Sequence, residues 1–145
     1  MYRMTSAFTY TRRVEFRDTD AAGILHFTSY FAYMEEAEHA LLRHLGTSVM
    51  QAVDDATLGW PRVSATCDFA GSAKFEDVLS ICVFIDRVGT TSVTYRFEFL
   101  NAEDQQIATG KMTSVCCRIV PGQAPQTTPV PAALKTKLQA TDPTS

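Results

Sequence analysis

Apolar side chains recur on one side of the stretch 28–45. They occupy Tyr30, Met34, Ala37, Leu41 and Leu45. This spacing of three or four residues predicts a helix with a single apolar face. Thr28 or Ser29 can cap its start with a hydroxyl group, and Gly46 is a natural stop. A long one-sided helix of this kind is expected to lie across a broad apolar surface, most simply a sheet.

Alternating apolar and polar residues predict strands on both sides of this helix. The predicted strands cover 9–17, 62–70, 78–87, 91–100 and 106–120. Residues 47–59 are expected to include a short helical turn, 121–131 a loop, and 132–139 a short helix. Short turns link the later strands, which favours antiparallel pairing. The order of elements predicts an α+β fold in which one long helix is wrapped by a curved antiparallel sheet of about five strands.

Length and composition indicate a single globular domain. The chain has 145 residues, of which 46% are hydrophobic and 20% charged, with a formal net charge of −3. We expect one domain over 1–145, with an ordered core at about 8–120 and an extension at 121–145. A sheet with one uncovered apolar face favours a homo-oligomer, at least a dimer.

The same composition argues against several other classes of protein. The chain has no basic stripe for nucleic acid, no apolar leader, and no stretch that approaches a membrane span. The four cysteines lack the paired spacing of a zinc site and are expected to be buried, reduced thiols. These features predict a cytoplasmic protein that binds neither nucleic acid nor membrane.

The turn before the long helix carries the most suggestive chemistry. It reads DTDAAG over 18–23 and places Asp18 and Asp20 just ahead of a helix N-terminus. Unpaired N–H groups there can polarise a carbonyl oxygen, while a neighbouring carboxylate attacks the carbonyl or activates water. Two other interpretations stay open: a turn in which the carboxylates bond the backbone, and a metal site.

Two segments resemble a known family of enzymes. The stretch VEFRDTDAAGI at 14–24, followed by Tyr30 and a helix with Glu36-Ala37, resembles the 4-hydroxybenzoyl-CoA thioesterase branch of the hotdog-fold acyl-CoA thioesterases. RVS at 62–64 and AKFEDVL at 73–79 resemble later parts of the same pattern. The resemblance spans about 12–120 and implies the hotdog fold, assembled as a dimer or a dimer of dimers.

The resemblance also implies roles for particular residues. It puts the catalytic carboxylate on Asp20, acting as nucleophile or as general base, and the carbonyl-polarising amide on the backbone N–H of Phe27. Asp18 is expected to shape the turn, and Gly23 to let the backbone approach the substrate closely.

Other candidate substrate contacts are His26, Tyr30 and Ser64. His26-Phe27 stands where many family members carry Tyr-His, so His26 is expected either to contact substrate or to pack as a substitute aromatic residue. Glu38 is a weaker candidate for a helix-borne catalytic carboxylate.

The implied activity is hydrolysis of an acyl-CoA or acyl-carrier-protein thioester. It requires no metal and no other cofactor, because coenzyme A is part of the substrate. Two alternatives are a hotdog dehydratase, whose catalytic His pattern we do not find, and a non-catalytic sensor that binds acyl-CoA or an acyl-carrier protein.

Overall fold

One long helix lies against a curved antiparallel sheet. We describe residues 5–141 of a computed structural model of the chain; both ends of the predicted domain, 1–4 and 142–145, lie outside this range. The α-helices are α1 (Phe27–His44) and α2 (Ala132–Thr141), and a short 3-10 helix at Phe16–Asp18 stands where the strand predicted over 9–17 was expected to end. The strands are β1 (Phe8–Arg13), β2 (Gln51–Val53), β3 (Ala56–Gly59), β4 (Arg62–Phe69), β5 (Val78–Val88), β6 (Ser92–Leu100), β7 (Gln106–Val115), β8 (Cys117–Ile119) and β9 (Gln126–Thr127).

The main sheet has five strands in the order β1-β5-β6-β7-β4. All its neighbouring strands pair antiparallel. The apolar face of α1 packs on this sheet, where Tyr33, Met34 and Leu41 are at most 1% exposed. Gly110 on β7 allows a close approach of the helix, because a Cβ atom built there would lie 2.2 Å from the sulfur of Met34. The α+β prediction, with its long helix on an antiparallel sheet of five strands, is confirmed.

A second, smaller sheet was not predicted. Its four strands run in the order β2-β3-β8-β9, and β2 and β3 form a hairpin across Asp54, which has a φ of 53°. The prediction of a helical turn within 47–59 is therefore wrong. The predicted strand at 106–120 is in fact two strands, because Cys116 interrupts it and donates its backbone N–H to the carbonyl of Thr91.

The C-terminal extension contributes to the core. Val130, Leu134 and Leu138 are buried and belong to the same apolar cluster as α1. Lys137 Nζ donates to the carbonyl oxygen of Leu45 at 2.9 Å, which places a positive charge at the C-terminal end of α1. The packed core thus extends beyond the range 8–120 expected from the sequence.

β4 forms one edge of the main sheet. Its only partner strand among the described residues is β7, and the register shifts between Arg62 and Ser64. Val63 is 61% exposed and Phe69 is 48% exposed, although both were expected on an apolar strand face. Within residues 5–141, no helix has the length and apolar character needed to cross a membrane.

Candidate active site

Asp20 lies in a tight turn between β1 and α1. Its Oδ1 accepts the backbone N–H of Ala22 at 2.8 Å and that of Ile24 at 3.4 Å. The backbone N–H of Asp20 donates to the carbonyl of Ile24, and Gly23 closes the turn with a φ of 80°. Oδ2 of Asp20 has no hydrogen-bond partner within residues 5–141. One carboxylate oxygen is therefore anchored, and the other remains available to a substrate or a water molecule.

The backbone at Gly23 adopts the left-handed conformation that favours glycine. A Cβ atom built at this residue would meet no described heavy atom within 4 Å, so conformation rather than crowding selects glycine here. The predicted close approach of substrate to Gly23 stays a prediction.

The helix that follows begins at Phe27, two residues earlier than a cap at Thr28 would allow. Its N-cap is His26, whose Nδ1 accepts the backbone N–H of Thr28 at 3.2 Å, and neither Thr28 nor Ser29 serves as the cap. Phe27 is consequently the first helical residue, and its N–H has no hydrogen-bond partner within 5–141. An unpaired amide at the positive end of an 18-residue helix can donate its N–H to a carbonyl oxygen on which negative charge develops.

His26 has a structural task in this arrangement. Besides capping α1, its ring stacks on that of Phe27, with centroids 4.7 Å apart. Its backbone N–H donates to the carbonyl of Asp18 at 2.8 Å. The contact with substrate predicted for His26 stays a prediction.

Asp18 is bonded to the protein through one oxygen of its carboxylate. Its Oδ2 accepts the hydroxyl of Tyr33 at 2.6 Å and the backbone N–H of Glu15 at 3.2 Å, and it lies 3.4 Å from the guanidinium of Arg12. The two carboxylates of the turn are thus held differently: Oδ2 of Asp18 is fixed by Tyr33 and Arg12 from α1 and β1, whereas Oδ1 of Asp20 is bonded only to backbone N–H groups of its own turn.

The remaining predicted contacts lie apart from this turn. Tyr30 is 2% exposed and packs edge-on against Phe99 in the core and against the half-exposed Phe69. Ser64 is exposed on the edge strand β4. The structure does not bring either residue to Asp20, and their roles in binding substrate stay predictions.

Sequence reasoning missed a buried ion pair between α1 and β4. Glu38 is 2% exposed, and Arg62 donates to both of its carboxylate oxygens and to the hydroxyl of Ser114. Burial raises the pKa of Glu38, while the nearby Arg62 charge opposes that rise. The periodicity placed Glu38 at the edge of the apolar face, which was the available signal, but its partner lies 24 residues away.

A cavity of about 260 Å³ lies beside this ion pair. It is lined by Phe31, Ala32, Glu35, Arg62, Ala65 and Met112. Phe31 is four residues beyond Phe27 on α1, which corresponds to roughly 6 Å along a helix. Among the described residues, the structure brings together no three His, Cys, Asp or Glu side chains that could hold a metal ion.

Comparison with known proteins places this geometry in a family. Residues 14–138 match the model of the thioesterase-like superfamily. The acyl-CoA thioester hydrolase YbgC of Escherichia coli O6:H1 is 30% identical over 112 residues, covering 77% of this chain and 83% of that protein. The 1,4-dihydroxy-2-naphthoyl-CoA hydrolase of Thermosynechococcus vestitus is 28% identical and covers 87% of both chains.

A solved structure agrees with these relatives. The structure of the gentisyl-coenzyme A thioesterase BH1999 is 30% identical, superposes with a TM-score of 0.79, and covers 90% of this chain and 99% of that one. The fold and these relatives together define a thioester hydrolase of the hotdog fold. The chain belongs to the thioesterase-like superfamily.

Proposed function

We propose that this protein hydrolyses acyl-CoA thioesters with Asp20 as its catalytic carboxylate. The observation that carries the proposal is the pairing of a carboxylate oxygen without a partner, on Asp20, with the unpaired first amide of α1, on Phe27. The two halves of an acyl-transfer site are thereby supplied by one short turn. The relatives named for CoA-thioester hydrolysis support the choice of substrate.

In the proposed reaction, the thioester carbonyl oxygen accepts the N–H of Phe27. That hydrogen bond strengthens as negative charge develops on the oxygen, and the helix N-terminus adds a favourable field. This contribution is larger in the transition state than in the bound substrate, so it raises the rate of the chemical step.

Asp20 can complete the reaction by either of two routes. As a nucleophile, Oδ2 bonds to the carbonyl carbon, the C–S bond breaks, and CoA leaves as a thiolate that takes a proton from water; water then hydrolyses the mixed anhydride. As a general base, Asp20 takes a proton from the water that attacks the carbonyl; the C–S bond then breaks, and CoA leaves as a thiolate that receives this proton, which regenerates the carboxylate of Asp20. Both routes consume one water molecule and yield the free acid and CoA.

The acyl group is proposed to lie against the cavity between α1 and β4. This cavity begins about one helical turn from Phe27 and ends in the polar pair of Glu35 and Arg62. The mostly apolar lining of the cavity suits an acyl chain or ring. The size of the acyl group in the preferred substrate will show how long an acyl group the cavity accommodates.

We also propose that the protein assembles through β4. This edge strand has eight residues and exposes Val63 and Phe69, and an exposed edge of that length favours pairing with another strand. A second copy of the chain supplies such a strand and would bury both side chains. Sedimentation equilibrium should therefore give twice the 16.0 kDa chain mass or a multiple of it, whereas a 16.0 kDa species would contradict this assembly.

The test of the catalytic proposal is thiol release from a panel of acyl-CoAs. The panel runs from acetyl to palmitoyl and includes benzoyl, 4-hydroxybenzoyl and phenylacetyl esters, with wild type, Asp20→Asn and Asp104→Asn compared. Asp104 is an exposed aspartate in the turn after β6, so its variant is a matched control for the same chemical change. We expect Asp20→Asn alone to lose turnover, by about 10²–10⁴-fold. Turnover near the wild-type rate in Asp20→Asn would overturn the assignment.

A further inference from the structure

Asp18 connects three parts of the chain around the catalytic turn. Its carboxylate reaches the hydroxyl of Tyr33, in the second turn of α1, at 2.6 Å. The same oxygen lies 3.4 Å from the guanidinium of Arg12 on β1 and accepts the backbone N–H of Glu15. A residue of the loop is thus joined through its side chain to the sheet on one side and to the helix on the other.

The backbone of Asp18 reaches the start of α1. Its carbonyl oxygen accepts the N–H of His26 at 2.8 Å and the hydroxyl of Ser29 at 3.0 Å. His26 immediately precedes Phe27, which supplies the unpaired amide, and Asp20 follows Asp18 by two residues. Both halves of the proposed site therefore depend on the position of Asp18.

The partners of Asp18 are themselves fixed. Tyr33 is 1% exposed, and the guanidinium of Arg12 lies 4.4 Å from the centre of its ring. Arg12 Nε donates to Glu36 on α1 at 2.8 Å. Because these contacts join β1 to α1, the support behind Asp18 consists of regular structure rather than loop.

We propose that Asp18 and Tyr33 are positioning residues that set the distance between the carboxylate of Asp20 and the N–H of Phe27. The proposed role does not require either residue to touch the substrate: Tyr33 is buried, and Oδ2 of Asp18 is engaged by Tyr33, Glu15 and Arg12. Loss of their contact lets the turn shift relative to the helix, and small misplacements of reacting groups cost large factors in rate. This inference rests on the proposed role of Asp20.

The expected signature is a fall in kcat with KM unchanged. Tyr33→Phe removes one hydroxyl and should lower kcat by roughly tenfold, and Asp18→Ala by about 10². Asp18→Asn keeps an oxygen that can accept from Tyr33 and from Glu15, so it should restore kcat to within about threefold of wild type. A change in stability alone would not produce this rescue together with a constant KM.

The experiment measures kcat and KM for these three variants beside Tyr10→Phe and Asp20→Asn. Tyr10→Phe removes a tyrosine hydroxyl that also bonds a carboxylate on α1, but it leaves the loop untouched and should keep the wild-type kcat. If Asp18→Ala does not fold, Tyr33→Phe carries the test by itself, because its side chain keeps its shape in the core.

The outcomes separate this inference from the proposed function. If Asp20→Asn is inactive while Tyr33→Phe and Asp18→Ala keep the wild-type kcat, the positioning role is refuted and the catalytic role of Asp20 stands. If Tyr33→Phe raises KM at constant kcat, Tyr33 acts in binding and the positioning role is again refuted. If Asp20→Asn keeps the wild-type rate, the proposed function fails instead.

Discussion

Replacing Arg62 by methionine should destabilise the protein strongly at neutral pH. Arg62 is the charged partner of Glu38, which is 2% exposed and cannot regain water without disrupting the core. Removing one member of a buried ion pair leaves an uncompensated charge and costs about 3–5 kcal/mol. That is a large share of the roughly 5–15 kcal/mol by which a domain is stable.

The destabilisation should depend on pH in a defined direction. In the wild type, the Arg62 charge lowers the pKa of Glu38 against the raising effect of burial, so the pKa of Glu38 rises further in Arg62→Met. When the pKa of Glu38 in the folded protein lies above its unfolded value of 4.5, the raised pKa favours the folded state most at pH values below 4.5. This contribution to stability is lost as the pH rises through the folded-state pKa of Glu38. The deficit of the variant should thus be largest near pH 7.5 and shrink towards pH 5.

The assay is urea unfolding of wild type and variant at both pH values and at one protein concentration. Arg118→Met is the matched control, because Arg118 pairs with Asp55, which is exposed, and should cost at most about 1 kcal/mol. Adding Glu38→Gln to Arg62→Met removes the buried charge and should recover much of the loss. A cost below about 1 kcal/mol for Arg62→Met, equal at both pH values, would refute this account of the ion pair.

Three further predictions concern packing, capping and thiol reactivity. Gly110→Ala places a Cβ atom 2.2 Å from the buried sulfur of Met34 and should cost about 1–3 kcal/mol in thermal unfolding, and an unchanged Tm would contradict this close approach. Lys137→Met removes the ammonium group that donates to the carbonyl of Leu45. The variant should lose about 0.3–1 kcal/mol of stability in the same assay, and a stabilised variant would count against the capping role of Lys137. Burial raises the pKa of Cys67 from 9.0 to about 11, which lowers its thiolate fraction about 100-fold while the intrinsic nucleophilicity rises about tenfold. Iodoacetamide should therefore alkylate Cys67 about tenfold more slowly in the folded than in the unfolded protein, as measured by peptide mass spectrometry, and equal rates would be inconsistent with its burial.

The sequence predicted those elements whose signal is local and repeated. α1 shows its apolar face over four turns, and the five long strands show alternation or an apolar run, so both helix and main sheet follow from side-chain periodicity. The pattern could not identify the N-cap. Thr28 and Ser29 are favoured residue types, but the hydroxyl of Ser29 is taken by the carbonyl of Asp18, and His26 caps the helix instead.

Elements whose partners are distant in sequence were harder to predict. β2 and β3 have three and four residues, too few for a clear alternation, and β3 pairs with β8 about sixty residues later. The ion pair of Glu38 with Arg62 likewise joins a helix to a strand at the point where the register of β4 shifts. A single sequence carries no local signal for either contact.

The sequence predicted the reactive groups of the candidate site better than the contacts that hold them in place. The two aspartates and the helix N-terminus lie within ten residues of one another, so their proximity follows from the turn alone. The different roles proposed for Asp18 and Asp20 depend on Tyr33 and Arg12, which contact Asp18 from α1 and β1. Those contacts appear only when the helix lies on the sheet.

The most direct test of the catalytic role of Asp20 is to measure binding and turnover of one acyl-CoA by Asp20→Asn. The substrate is the best ester of the panel, with Kd taken from calorimetry on the variant and kcat from thiol release. We predict a Kd close to the KM of the wild type and a kcat lower by about 10²–10⁴-fold, equivalent to roughly 3–5 kcal/mol of lost transition-state stabilisation. A variant that binds the ester and still releases thiol at the wild-type rate would contradict the central role of Asp20.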